Sequence, residues 1–281
     1  MRNAMITSEH DWPRSQAAPL VRQLELGGYT ILPTLLDESQ LRALRTAMES
    51  LPLRHSSYTD TQWFSHNVEW AASSPALAAI ALPATLSFLQ VLFADEVVCV
   101  SASYSRIEPG YPGMALHTDS HPYGSNILGL SGTSPVLVRI LYYLDDLTAE
   151  CAPLRVVPYS HLSLHADAMP YRRYLRHPEE VVLTCRAGQA IVINQRLFHA
   201  AGANASSASR AMFAVSYRPA WAGPTQAVPE PPAELIARLP EGVRRLFQDP
   251  NRRVSDTTIV NWSRGMPEDA PGLGPGRWSS G

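Results

Sequence analysis

The sequence predicts a mainly β protein with flanking helices, built on a double-stranded β-helix (jelly roll) core. Two observations lead there. From residue 97 to about 217 the chain breaks into short β-rich runs separated by Gly, Pro, Asn and Ser clusters, including the Ala187-Gly188 turn. Ahead of these runs lies a helical lead-in, and many short strands after helices favour a sheet folded on itself with helices packed outside.

Taken in order, the polar residues 1–18 are expected to be loose. Pro19 to Leu26 predicts a short helix closed by Gly27-Gly28, and Tyr29 to Leu32 a strand. Asp37 is an N-cap with Gln40 at N3, and Leu41, Leu44, Met48 and Leu51 recur at helical spacing, so a helix is expected over residues 38–50. Residues 52–72 carry Tyr58, Trp63, Phe64, His66 and Trp70 without a clean period; this predicts a long aromatic loop, acting as a lid or pocket wall. Ser74-Pro75 opens a helical stretch that breaks at Pro83 and runs to about Phe93. Strands are expected over 97–107, 113–118, 135–144, 154–158, 181–185, 190–194, 197–201 and 210–217. Beyond Trp221 the chain is Pro-rich, with one helix expected at 233–247 and the rest surface packing and disorder. The whole is expected to be one domain, residues 1–281. It divides into a loose N-terminus (1–18), a helical lead-in with the lid loop (19–96), the jelly-roll core (97–221) and a C-terminal helix and tail (222–281).

Composition excludes some classes of partner. A net charge of -2, with the 23 basic residues scattered along the chain, gives no field that would gather nucleic acid or an anionic membrane surface. Cys99, Cys151 and Cys185 lie far apart, so neither a disulfide framework nor a thiolate zinc site is expected. The N-terminal residues are not expected to form a signal peptide, and no window is expected to approach the length of a membrane span. The expected setting is cytoplasmic, with a small-molecule substrate and no membrane or nucleic-acid partner.

Chemistry is concentrated at three positions. His117 and Asp119 stand at i and i+2, which in a strand puts both side chains on one face. One imidazole and one carboxylate side by side are two-thirds of the set that holds ferrous iron while leaving positions open. The pair is weak evidence alone, since His165 and Asp167 repeat it, but that copy lies in a polar segment between strands. Chain order favours His117 and Asp119. Four predicted strands separate them from His199, as a jelly roll needs to bring a late histidine beside an early strand. Arg210 follows His199 by eleven residues, at the head of an apolar strand.

These residues carry a specific resemblance. From about Tyr29 to Trp221 the chain resembles the phytanoyl-CoA dioxygenase family of Fe(II)/2-oxoglutarate-dependent oxygenases. The match comprises His117 and Asp119, then Cys151-Ala152-Pro153-Leu154-Arg155-Val156-Val157-Pro158-Tyr159-Ser160-His161, then Gly188, His199 and Arg210. Where the family has Asn-Gly before Pro-Leu this chain has Cys151-Ala152, its Gly before Ser-His is Tyr159, and its Asp after the late Gly is Gln189; none is a metal ligand.

The resemblance implies Fe(II) held by His117, Asp119 and His199, with 2-oxoglutarate and O2 as co-substrates. It implies that Arg210 grips the far carboxylate of 2-oxoglutarate, because a guanidinium offers a two-pronged contact. Tyr104 and Ser101 are further candidates for that co-substrate. Tyr58, Trp63, Phe64, His66, Trp70, His121, Tyr123 and Arg139 are candidate pocket residues, His121 being also a rival ligand, whereas His161 is expected to be structural. The expected reaction is hydroxylation or another oxidation of an unactivated C–H of a small organic molecule, in specialised metabolism. No dense basic patch is present for a coenzyme A phosphate. Two other readings stay open: a cupin-like metal enzyme that does not use 2-oxoglutarate, and a non-catalytic jelly-roll binding module.

Overall fold

A computed structural model describes residues 12–68, 74–117, 137–162, 176–222 and 232–249. Helices α1 (Arg14–Gly27), α2 (Glu38–Glu49), α3 (Ser74–Ile80) and α4 (Pro83–Phe93) alternate with strands β1 (Tyr29–Leu32), β2 (Arg54–Ser56) and β3 (Thr59–His66). The core strands follow: β4 (Val97–Ile107), β5 (Val138–Tyr143), β6 (Leu154–Val156), β7 (Val181–Leu183), β8 (Ala190–Asn194), β9 (His199–Ala201) and β10 (Arg210–Pro219). Two short helices, α5 (Ala233–Arg238) and α6 (Glu241–Arg245), come last. The strands form a jelly roll: a seven-stranded sheet in the order β1-β8-β5-β10-β4-β3-β2 faces a three-stranded sheet in the order β7-β6-β9.

Side-chain alternation divides the large sheet into two faces. Its outer face presents Tyr104, Ile140, Tyr142, Val192, Phe213, Val215 and Tyr217, which pack with Leu44 and Met48 of α2, Ile80 of α3 and Phe88 and Leu89 of α4. Its inner face presents Leu141, Tyr143, Ile191, Ile193 and Ala214, which meet Leu154, Val156 and Leu183 of the small sheet. The interior between the sheets is therefore partly apolar, and the site sits there.

Several boundaries depart from the sequence expectations. Residues 52–72 do not form an aromatic loop over their first part: β2 and β3 make a hairpin, and β3 pairs with β4 from Gln62↔Ile107 to His66↔Ser103. Aromatic and polar residues fall on both of its faces, with Trp63 tilted against His55 at 3.5 Å between ring centroids, so no one-sided apolar alternation announces the strand. Helix α1 begins at Arg14, ahead of Pro19, and the C-terminal helix is broken at Pro240, which lacks the N–H to continue it. That segment also belongs to the core: Leu246 is buried and its carbonyl accepts from the Cys99 N–H at 2.7 Å. Residues Pro75–Phe93 are long and apolar enough by composition to cross a membrane, against the expectation that no window would be. They are split between α3 and α4, and Ile80, Phe88 and Leu89 are buried in the core. The described residues 113–117 of the expected strand 113–118 form no regular strand, though Met114 and His117 pair with β9.

The capping box of α2 is as expected: Asp37 accepts from the N–H groups of Ser39 and Gln40 at 2.8 Å, and Gln40 returns a bond to the Asp37 N–H at 3.0 Å. These bonds hold the Asp37 carboxyl below the usual carboxylate range, the Gln40 N–H contributing most. Ala152 (φ 47°) and Tyr159 (φ 66°), which stand where the resembling family has glycine, keep the left-handed backbone that glycine would favour.

Gly28 ties this scaffold to the site. It ends α1 at φ 83°, and a Cβ there would meet Leu197 Cδ1 at 2.5 Å and His161 Nδ1 at 2.6 Å. His161 is held in that position by donating from Nε2 to the Glu25 carbonyl at 2.9 Å, which agrees with a structural role. Gly28→Ala is expected to combine a left-handed alanine with an overpacked core, about 2–5 kcal/mol together. A thermal melt should show a fall of roughly 5 °C or more; an unchanged melting temperature would contradict this packing.

Candidate active site

His117 and His199 meet across the small sheet. The His117 N–H donates to the His199 carbonyl at 2.9 Å, the His199 N–H returns a bond to His117 at 2.8 Å, and the ring centroids lie 4.6 Å apart. Directly opposed residues of an antiparallel pair share a face. His199 also lies opposite Val156, an interior residue of β6, so both imidazoles face the space between the sheets. Leu116, Phe198 and Ala200 pack on the other side, fixing the direction of the strands on which the histidines stand. Arg155 secures this arrangement from beneath: buried, it donates to the Met114 carbonyl at 2.7 Å and pairs with Glu180 at 2.9 Å.

Each imidazole is oriented by a carbonyl two residues upstream. His117 Nδ1 donates to the Ala115 carbonyl at 3.2 Å and His199 Nδ1 to the Leu197 carbonyl at 2.9 Å. A proton on Nδ1 leaves the lone pair on Nε2, the tautomer a metal-binding imidazole requires. Both residues are buried, 7% and 6% exposed, so the donors are pre-positioned and shielded from water. Among the described residues no three metal-ligating side chains converge. Asp119, the third ligand implied by the resemblance, lies outside the described residues, as do His121, Tyr123 and Trp70.

Arg210 opens β10 opposite Ile107 of β4. Only 3% exposed, it has no acidic partner among the described residues; its Nε is buried without a hydrogen bond, and Nη1 lies 3.8 Å from Met212 Sδ. Its Cζ sits 5.4 Å from the centroid of the Tyr143 ring. Arg155 and Arg218, by contrast, are buried with Glu180 and Asp249. A buried guanidinium without a carboxylate is costly, and an incoming carboxylate would relieve that cost. Ile107, beside Arg210, packs with Tyr111 and Ala201, and Ala201 lies two residues along β9 from His199 on the same face. The guanidinium and the imidazoles thus belong to one end of the interior.

The other candidates divide by face. Phe64, His66, Ser101, Ser103 and Arg139 share the inner face through the cross-strand rows Phe64↔Ser105↔Met212, His66↔Ser103↔Ala214 and Ser101↔Ser216↔Arg139. Arg139 Nη2 reaches Ser103 Oγ at 3.5 Å, and burial, aided by the Arg139 charge, lowers the His66 pKa. Trp63 and Tyr104 lie on the outer face. Tyr104 is buried against the helices, where burial and the charges of Glu49 and Asp145 push its hydroxyl up to about 12, so it does not join the co-substrate end. Tyr58 turns toward Tyr111, their hydroxyls 2.7 Å apart, and donates onward to Gln62.

Sequence reasoning missed Tyr111 and Tyr143, which flank Arg210. For Tyr143 a signal existed, since period-two spacing from Arg139 puts it on the inner face. Tyr111 follows a turn, and nothing in the sequence assigns it a direction.

Comparison with known proteins identifies relatives of this fold. "Dioxygenase andF" of Emericella variicolor is 26% identical over 173 residues, spanning 61% of this chain and 59% of that protein's own length. Among solved structures, the carbocyclase SnoK from nogalamycin biosynthesis superposes with a TM-score of 0.62 at 20% identity, covering 77% of this chain and 88% of SnoK. HygX from Streptomyces hygroscopicus, solved with nickel, 2-oxoglutarate and hygromycin B bound, gives a TM-score of 0.59 at 16% identity, covering 77% of this chain and 93% of HygX. The sequence model described as Phytanoyl-CoA dioxygenase (PhyH) matches residues 24–212. This chain belongs to the phytanoyl-CoA dioxygenase family, a family of Fe(II)/2-oxoglutarate-dependent oxygenases.

Proposed function

We propose that this protein oxidises an unactivated C–H of a small organic molecule in natural-product metabolism, using Fe(II), 2-oxoglutarate and O2. The observation that carries the reading is Arg210, a buried guanidinium with no acid beside it among the described residues, at the same interior end as two Nδ1-protonated histidines. Fe(II) would be held by the Nε2 atoms of His117 and His199 and the carboxylate of Asp119, a set suited to a ferrous ion. Iron and 2-oxoglutarate, when bound, supply an oxidative decarboxylation to succinate and carbon dioxide that activates oxygen for attack on the substrate.

The chain's own residues bind and orient. Arg210 would fix the far end of 2-oxoglutarate so that its other end lies toward the imidazoles, and the apolar walls from Leu141, Ile191 and Val156 exclude water. Phe64, His66, Ser101, Ser103 and Arg139 line the inner face further along, and their mixture of an aromatic ring, hydroxyls and a cation suits a partly apolar, oxygen-bearing substrate. Trp70, His121 and Tyr123 are proposed for the same pocket. SnoK, from nogalamycin biosynthesis, and HygX, which binds hygromycin B, support a natural product as substrate. A cupin-like enzyme without 2-oxoglutarate would leave Arg210 buried with no acid beside it among the described residues.

The test is succinate release from 2-oxoglutarate in air, with and without Fe(II). Succinate should form only with Fe(II), cease when a chelator removes the metal and return on its readdition; succinate formation indifferent to the chelator would reject the reading. The outcome is expected to be oxygenation or a related oxidation, not halogenation, because Asp119 as third ligand would fill the position a halide would need. With excess bromide and a competent substrate, mass spectrometry should find no brominated major product.

A further inference from the structure

We propose that Arg139, with Ser103 and His66 beside it, binds a carboxylate of the substrate, so that the molecule oxidised is an organic acid with an apolar body; the inference rests on the reading of the site given above. Arg139 stands on the inner face of β5, opposite Ser216 of β10 and Ile193 of β8. Ala214 and Ser216 are small, so the Arg139 side chain lies across β10, and its Nη2 reaches Ser103 Oγ on β4 at 3.5 Å. His66 of β3 is directly opposite Ser103. A guanidinium, a hydroxyl and an imidazole from three strands thus converge over one patch of the sheet.

The charge of this patch selects its ligand. Burial, with the Arg139 charge added, lowers the His66 pKa, so at neutral pH the imidazole is an uncharged donor and the cluster carries the single charge of the guanidinium. A carboxylate brings one negative charge and about four lone-pair sites, which a guanidinium fork, an imidazole N–H and a hydroxyl fill together. A phosphate dianion would leave one charge unmatched. Around the cluster the surface is apolar: Leu141, Ile191 and Ile193 continue the inner face, and the Phe64 ring lies 4.8 Å from that of His66. These walls suit a hydrocarbon or aromatic body attached to the acid.

Arg139 is not a further grip on 2-oxoglutarate. Its neighbour Ser216 is six residues beyond Arg210 on β10, roughly 20 Å at the rise of a strand, which is more than a five-carbon diacid spans. The histidines are closer along the chain. From Ile193 the backbone enters a turn, closed by the Leu197 N–H on the Asn194 carbonyl at 2.9 Å, and the turn delivers His199. A carboxylate on Arg139 therefore tethers the substrate beside the strand that carries a proposed metal ligand. Such a site rejects the amide of the same shape, which brings no charge to the guanidinium and turns its own N–H groups toward other donors.

The experiment uses nickel-loaded protein saturated with 2-oxoglutarate, titrated calorimetrically with 4-bromobenzoate as probe and with 4-bromobenzamide and 4-bromophenyl phosphate for comparison. The benzoate should bind more tightly than either, and Arg139→Gln should weaken it roughly tenfold to a hundredfold, the range for a hydrogen bond to a charged group. His66→Phe should weaken it less. The 2-oxoglutarate affinity and melting temperature of both variants separate loss of the contact from loss of the fold. A crystal of the unmutated complex, its bromine located by anomalous scattering, needs no variant and should show the probe carboxylate on Arg139 and Ser103. The proposal is overturned by a benzoate that does not bind, by an amide or phosphate that binds as tightly, by unchanged benzoate affinity in Arg139→Gln, or by a carboxylate placed away from Arg139. In each of those cases the protein still binds 2-oxoglutarate and the reading of the site stands. Unmutated nickel protein that binds no 2-oxoglutarate removes that reading, and this inference with it.

Discussion

His199→Ala is expected to abolish iron-dependent succinate formation and to lower affinity for a divalent metal by more than about a hundredfold, the upper range for losing even a group that only orients a ligand. The size of the effect follows from the geometry. His199 is paired to His117 through two backbone bonds and its Nδ1 is committed to the Leu197 carbonyl, so the ring has one orientation and Nε2 one direction. Alanine keeps those backbone bonds and removes only the donor, leaving a small space on the inner face. The fold should therefore survive, and metal titration with circular dichroism as control separates the two effects. A His199→Ala protein that binds Fe(II) and forms succinate at the original rate would remove His199 from the site.

The second large effect is at Arg210, where two substitutions should diverge. Arg210→Lys keeps the charge but loses the planar fork; it is expected to raise the 2-oxoglutarate dissociation constant by roughly tenfold to a hundredfold while leaving metal affinity unchanged. Arg210→Met should bind 2-oxoglutarate more weakly still. Without ligand, however, it should melt no lower than the unmutated protein, because it replaces a buried cation that has no acid beside it among the described residues. A protein strained by its own binding group in this way shows the larger thermal shift on adding 2-oxoglutarate. If Arg210→Met unfolds well below the unmutated protein while still binding 2-oxoglutarate, Arg210 is a structural residue.

Much of the fold was legible in the sequence, for local reasons. Strands β1, β4 and β8 begin and end where expected because their β-branched runs are flanked by turn residues, and α2 starts where expected because Asp37 and Gln40 satisfy its first N–H groups. The β2–β3 hairpin escaped because Thr61, Gln62, Trp63 and Phe64 present polar and aromatic groups to both faces of an edge. Tyr104 and Ser101 are both candidates by sequence, although strand residues an odd number apart face opposite ways; the register puts the serine inside and the tyrosine against α2. For the site, order along the chain and the resemblance singled out His117 and His199, which the structure brings together. The carbonyls of Ala115 and Leu197 that set their tautomers could not be read from sequence, since any residue supplies a carbonyl and only the local backbone aims it. Nor could the lack of an acid beside Arg210 among the described residues, which depends on every element packed around it.

The central claim is that one metal ion and one 2-oxoglutarate share the interior end defined by His117, His199 and Arg210. A crystal grown with Mn(II) and 2-oxoglutarate, its metal located by anomalous scattering, tests this directly. The metal should lie on Nε2 of His117, Nε2 of His199 and the Asp119 carboxylate, with the far carboxylate of 2-oxoglutarate against the Arg210 guanidinium. A metal bound elsewhere, or a co-substrate whose far carboxylate does not touch Arg210, would contradict the account.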